Sequence, residues 1–183
     1  FAKKLNVKRR LKSTGSEKIR ITLDFSLLGS LSDTQECHSV GQTVTWGGKT
    51  YSCRTEDILP AEKIPVLKGS MQNAKTYLES IIYVDPLDYD FEVRTNVPNY
   101  FSYGYTKNTA NTDLFLTILS RPYGEASTIA SAHHLQTDVD TKRPIQGAVY
   151  VNPIYVPNQI QSENTTNSKY FNTYIHEIFH VMG

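Results

Sequence analysis

No apolar run in this 183-residue chain approaches the roughly 18 residues that a membrane-spanning helix needs. No secretory leader is visible, because the first eleven residues are basic and lack an apolar centre. Cysteine is scarce: there are two, and no CxxC pair, which excludes a zinc ribbon. Neither sign of charge is in excess. Nineteen Lys and Arg face eighteen Asp and Glu, for a net charge of +1, so nothing global points to nucleic acid or an acidic membrane. Gly47-Gly48 lacks the strand and helix that flank a phosphate-binding loop. No nucleophile-elbow serine and no internal repeat appear.

What is present is an ordinary globular composition, 39% hydrophobic and 20% charged, long enough to bury one core. Lys3, Lys4, Lys8, Arg9, Arg10 and Lys12 crowd the start, so residues 1–17 read as a basic linker or a pro-segment remnant. Cys37 and Cys53 flank a Gly/Thr-rich stretch and suit either a local disulfide or two buried thiols. Asn164-Thr165-Thr166 is a glycosylation acceptor pattern, and with a disulfide it would indicate an oxidising compartment, secreted or at the cell surface. The chain does not begin with Met and ends inside an amphipathic segment. It reads as part of a longer protein.

The periodicities predict a mixed α/β (α+β) layer arrangement. Ile19, Ile21, Leu23 and Phe25 alternate with polar residues as in a half-buried strand. Trp46-Gly47-Gly48-Lys49 reads as a hairpin turn. Pro60 marks a helix start, and Ile64, Leu67, Met71, Ala74, Leu78 and Ile81 carry its apolar side to about Ile82. Phe91 and Val93 suit a short strand, Leu114 to Leu119 a fully buried one. Ile129 to Leu135 suits an edge strand, and Gly147 to Val151 a further strand that Asn152-Pro153 ends. After a polar loop, Ser168 would cap a last helix from Lys169, with Tyr174, Ile175, Ile178, Phe179, Val181 and Met182 on its apolar side.

That last helix carries the chemistry. His176-Glu177-Ile178-Phe179-His180-Val181-Met182-Gly183 is HExxHxxG. Histidines four apart on a helix stand on adjacent turns of one face, so both imidazoles can reach one ion. Zinc accepts neutral imidazole nitrogen, and two ligands on one rigid helix lose little entropy on binding it. Glu177 lies beside the ion and outside its ligand set, where a general base takes a proton from zinc-bound water. The bland alternative is a pair of histidines on the polar side of a core helix. His133 and His134 would point to opposite faces of the edge strand, leaving a third ligand there conceivable, and His38 suits the surface.

The chain is similar to the leishmanolysin family of the metzincin clan. The similarity runs from about residue 18 to 183. Its landmarks are Ile19-Arg20-Ile21, Cys37-His38-Ser39-Val40-Gly41-Gln42, Cys53-Arg54-Thr55-Glu56-Asp57-Ile58-Leu59, Phe101-Ser102, Thr112-Asp113-Leu114 and Arg143-Pro144-Ile145-Gln146-Gly147, with the HExxHxxG helix. The resemblance implies a zinc metalloendopeptidase whose N-terminal catalytic subdomain spans 18–183. It implies a twisted mixed sheet with an antiparallel edge strand, a long backing helix and an active-site helix. His176 and His180 would be zinc ligands, Glu177 the catalytic base, and Cys37–Cys53 a disulfide. Ala126, Ser127, Thr128, Ile129, Ala130, Ser131 and Ala132 would lie along the edge strand that receives an extended peptide. The family's third histidine ligand and its methionine turn come later than Gly183, so these 183 residues alone are expected to bind zinc weakly and turn over poorly. Its pro-segment cysteine is not seen, and the cysteine pair of some relatives is replaced by Arg94 and Leu135. Protein or peptide substrates would be the partners, with no nucleic acid, and any membrane attachment would come from other regions. Two other readings are an HExxH clan with a downstream Glu ligand and a catalytically silent cell-surface adhesion module.

Overall fold

The computed structural model describes residues 16–124, 126–166 and 168–183. The expected basic linker therefore lies outside the described residues, apart from its last two positions. Of these, Glu17 pairs antiparallel with Val84.

Strand β1 is Ile21–Asp24. The predicted turn at Gly47-Gly48 joins β2, Thr43–Trp46, to β3, Lys49–Ser52, in an antiparallel hairpin. Both glycines have positive φ, the left-handed backbone that a two-residue hairpin turn requires. Helix α1 runs Lys63–Ile81. It starts later than Pro60 suggests, because a turn comes first, in which the Lys63 N–H donates to the Pro60 carbonyl at 2.9 Å. The predicted helix face is buried at Leu67, Met71, Ala74 and Leu78, but Ile81 at its end is half exposed. After several two-residue strand pairs come β4, Leu114–Ser120, β5, Ala130–Thr137, and β6, Pro144–Val151. Helix α2 closes the chain at Lys169–Met182.

The main sheet has the order β5-β6-β4-β1. β6, β4 and β1 are parallel, whereas β5 is antiparallel to β6 and forms an edge. Alternation along the central strands builds two faces. Leu116, Ile118, Val149 and Val151 join the inner sides of α1 and α2 in the largest apolar cluster. Leu119, Ala148 and Tyr150 point the other way, onto Trp46 of the hairpin and Phe101 and Tyr103. Every residue of β4 is buried, as its apolar run, interrupted only by Thr117 before Ser120, implies. The Cys37–Cys53 disulfide is formed, with Cα atoms 5.7 Å apart, and ties the hairpin to the preceding loop.

Buried charge holds the loops. Asp113 is fully buried and accepts the Arg20 backbone N–H at 2.9 Å, Arg20 Nε at 2.8 Å and the Leu87 N–H at 2.7 Å. At the far end of β4, the buried Arg121 grips Asp33 with two N–H···O bonds of 2.7 and 3.2 Å and also donates to the carbonyls of Ser120 and Tyr100.

Glu36 is buried beside this pair and accepts the Gly29 N–H at 2.9 Å. Burial, reinforced by Asp33 and opposed by Gly29 and Arg121, pushes its carboxyl up to about 7 from 4.5. Between these values the unfolded chain releases a proton that the folded chain keeps, so stability falls as pH rises through that window and then levels off. The loss is on the order of 3 kcal/mol. Chemical unfolding between pH 4 and 8 should show this decline in the native protein and a flatter profile in Glu36→Gln. Parallel profiles would remove Glu36 as the cause.

Candidate active site

Helix α2 is placed by its apolar side. Phe171, Tyr174, Ile178 and Val181 are buried against the sheet. Ile175 and Met182 pack partly, and Phe179, expected on the same side, is 45% exposed. The reason is geometric: Phe179 sits one turn beyond Ile175, on the flank facing the end of α1. Ser168 does not cap the helix through its hydroxyl. That hydroxyl instead accepts the Asn172 side-chain amide at 3.1 Å.

One glycine sets how closely α2 approaches. A Cβ on Gly147 would lie 2.2 Å from Val181 Cγ1 and 2.9 Å from the His133 carbonyl, so only glycine lets the helix rest on β6 at this depth.

On the outer face of α2 the His176 and His180 rings are perpendicular, and their Nε2 atoms stand 2.9 Å apart. That is less than twice a 2.0–2.1 Å zinc–nitrogen bond, so one ion can touch both nitrogens. Both side chains are exposed. Glu177 turns inward from them and is 8% exposed. Burial pushes its carboxyl up, and the two imidazoles pull it back down. The donor set, two imidazole nitrogens with a carboxylate held alongside, suits zinc. Among the described residues no group of three or more His, Cys, Asp or Glu side chains converges as a metal cage.

The other histidines stand apart. His133 meets the rings of Tyr100 and Tyr150 edge-on, at 5.4 and 5.7 Å. Desolvation of the ring against these neighbours, aided by His134, lowers its pKa. Both His133 and His134 are exposed on the strand. His38 is half-buried, its Nε2 3.1 Å from the Asp33 carbonyl.

The edge strand begins at Ala130 and continues to Thr137, later at both ends than the sequence pattern indicates. Ala130, Ser131 and Ala132 are in the ladder with β6, while 126–129 run as irregular backbone before it. Asn152 is the cause. Fully buried at the end of β6, it donates its side-chain amide to the Thr128 carbonyl and its backbone N–H to the Ile129 carbonyl, each at 2.9 Å. At the other end the register shifts around Leu135, between His134 and Gln136. A bulge there twists the edge away from further pairing. Tyr123 fastens the strand from the side, its hydroxyl 2.6 Å from Ser131 Oγ. Burial pushes its phenol up, and the Glu177 charge adds to this.

Asn152, Gly147 and Tyr123 were not legible as site-forming residues. Asn152-Pro153 carried a signal, but it reads as a strand stop. Gly147 stood out only as part of a strand, and Tyr123 not at all, because its role depends on contacts that no local spacing encodes.

Residues 6–183 match the family model of the peptidase family M8, leishmanolysin. No curated protein matches the chain.

Proposed function

Since the chain belongs to the leishmanolysin family of peptidases, whose members are zinc metallopeptidases of the surface or secreted kind, we propose that it is a zinc-dependent metalloendopeptidase acting on proteins or peptides. The observation that carries this reading is the convergence of the His176 and His180 Nε2 atoms, with the buried Glu177 alongside on the same helix. His176 and His180 would hold the metal. When bound, zinc would polarise the scissile carbonyl and lower the pKa of a water toward neutrality. Glu177 accepts the proton of the attacking water and passes it to the departing amine. Its buried setting helps it keep the proton it accepts, since a carboxyl raised by desolvation holds a transferred proton more readily than a solvated one.

The peptide lies extended along the open edge of β5, where the main chain of Ala130, Ser131 and Ala132 supplies cross-strand hydrogen bonds. Ala126, Ser127, Thr128 and Ile129 continue that surface as a rim held by Asn152. The disulfide supports an oxidising compartment, hence secretion or the cell surface. Among the described residues no helix is long and apolar enough to cross a membrane.

The test is zinc uptake by equilibrium dialysis. Wild-type protein should retain zinc, weakly if only these two imidazoles serve. His176→Ala and His180→Ala should each reduce retention to background while the fold, read by circular dichroism, persists. Retention unaffected by either substitution would refute the reading.

A further inference from the structure

Resting on the peptidase reading above, we infer that His133, backed by Tyr100, determines specificity by receiving an aromatic or long aliphatic side chain of the extended peptide. The pairing of β5 says which of its residues meet a substrate. The Asn152 N–H donates to the Ile129 carbonyl at 2.9 Å, and Ile129 stands opposite Asn152, one step before the Ala130–Val151 pair. Hydrogen-bonded and non-hydrogen-bonded pairs alternate along an antiparallel ladder. Ser131 and His133 therefore turn their main-chain groups inward to β6, whereas Ala130, Ala132 and His134 turn theirs to the open edge. A peptide joining that edge bonds to the second set and forms non-hydrogen-bonded pairs with Ser131 and His133. Those are the close pairs, with Cα atoms roughly 4.5 Å apart, so opposed side chains touch.

Side-chain alternation assigns the two faces. Ala130 and Ala132 pack into the cluster shared with α2. Ser131 and His133 point the other way, Ser131 to Tyr123 and His133 to Tyr100 and Tyr150. The two positions differ. The Ser131 hydroxyl is engaged by the Tyr123 hydroxyl and offers no ring. His133 is exposed, and its ring rests edge-on against Tyr100. Tyr100 is itself fixed: its N–H donates to the Val97 carbonyl at 2.9 Å, and its carbonyl accepts Arg121 at 2.8 Å. After His134 the register shifts, so Ser131 and His133 are the regular positions on this face. One substrate side chain thus lies beside a held, exposed ring, and flat or long apolar groups gain most from that contact.

The experiment is amide NMR of the zinc-free chain, titrated at neutral pH with short blocked peptides of alanine and threonine that differ only in a central Phe, Leu, Ala, Glu or Lys. The amide signals of Ala130, Ala132 and His134 should shift most. The Phe and Leu peptides should bind about fivefold tighter than the Ala peptide. His133→Ala should erase that difference and His133→Tyr should keep it, with an unchanged spectrum away from β5 showing that each variant is folded. Equal binding of all the peptides, tightest binding of the Glu or Lys peptide, or a preference that survives His133→Ala would overturn the subsite. If no peptide shifts these amides, or if they shift with protein concentration alone because a second copy takes the edge, docking on β5 fails with it. With no zinc present, none of these outcomes bears on the metal chemistry, which zinc retention by His176 and His180 tests separately.

Discussion

Glu177→Gln should reduce peptide hydrolysis by roughly a hundred- to ten-thousand-fold while leaving zinc uptake intact. Glutamine keeps the shape of the side chain and its place against the sheet, but a carboxamide cannot take a proton from water at neutral pH. The imidazoles four residues apart do not depend on it, because their convergence comes from helix geometry. Folding stability should be unchanged or slightly higher, since burial already opposes ionisation of the native carboxyl. Casein or fluorogenic peptide cleavage, measured beside zinc content and thermal melting, separates the possibilities. Full activity in the variant would show that another group is the base. Loss of zinc together with activity would show that Glu177 supports the metal site and not the proton transfer. Because these 183 residues alone are expected to turn over poorly, the comparison belongs in a longer form that carries the remaining zinc ligand; such a form holding zinc but cleaving nothing would favour a binding role.

Asp33→Ala should produce the largest loss of stability, about 3–5 kcal/mol. Arg121 is fully buried, and Asp33 is the carboxylate that grips it with two hydrogen bonds. Removing that carboxylate leaves a guanidinium in the interior with only carbonyl partners, and the cost of desolvating it is no longer offset. For a chain of this length the melting temperature should drop by about 10 °C. The double variant Asp33→Ala/Arg121→Met removes both charges and should recover much of the loss. A single variant that melts within a degree or two of wild type would mean that water reaches Arg121. Equal destabilisation of single and double variants would place the effect in packing instead of charge.

How much of this was legible beforehand depends on the range of the interaction. Leu114 to Leu119 announced a buried strand because a two-sided core demands apolar residues at every position. The α1 face showed in its helical spacing. Its last member, Ile81, misled, because periodicity says which side of a helix a residue occupies and not whether a neighbour covers that end. Phe179 misled for the same reason. The edge strand was placed early because nothing local reveals that Asn152 holds the carbonyls of Thr128 and Ile129.

Sequence by itself determined the chemical pair on α2. Helix geometry fixes the relation of His176 to His180 within one turn, so four-residue spacing suffices to bring two imidazole nitrogens together. It also supplied the hairpin turn, since two adjacent glycines meet a local backbone requirement. Tertiary structure alone decided that Glu177 is buried while its histidine neighbours face out. It alone decided that Gly147 admits the helix to the sheet, and that one buried guanidinium organises loops 88 residues apart. These are contacts between distant segments, and their energies depend on burial and separation in space, which the order of residues along a chain does not contain.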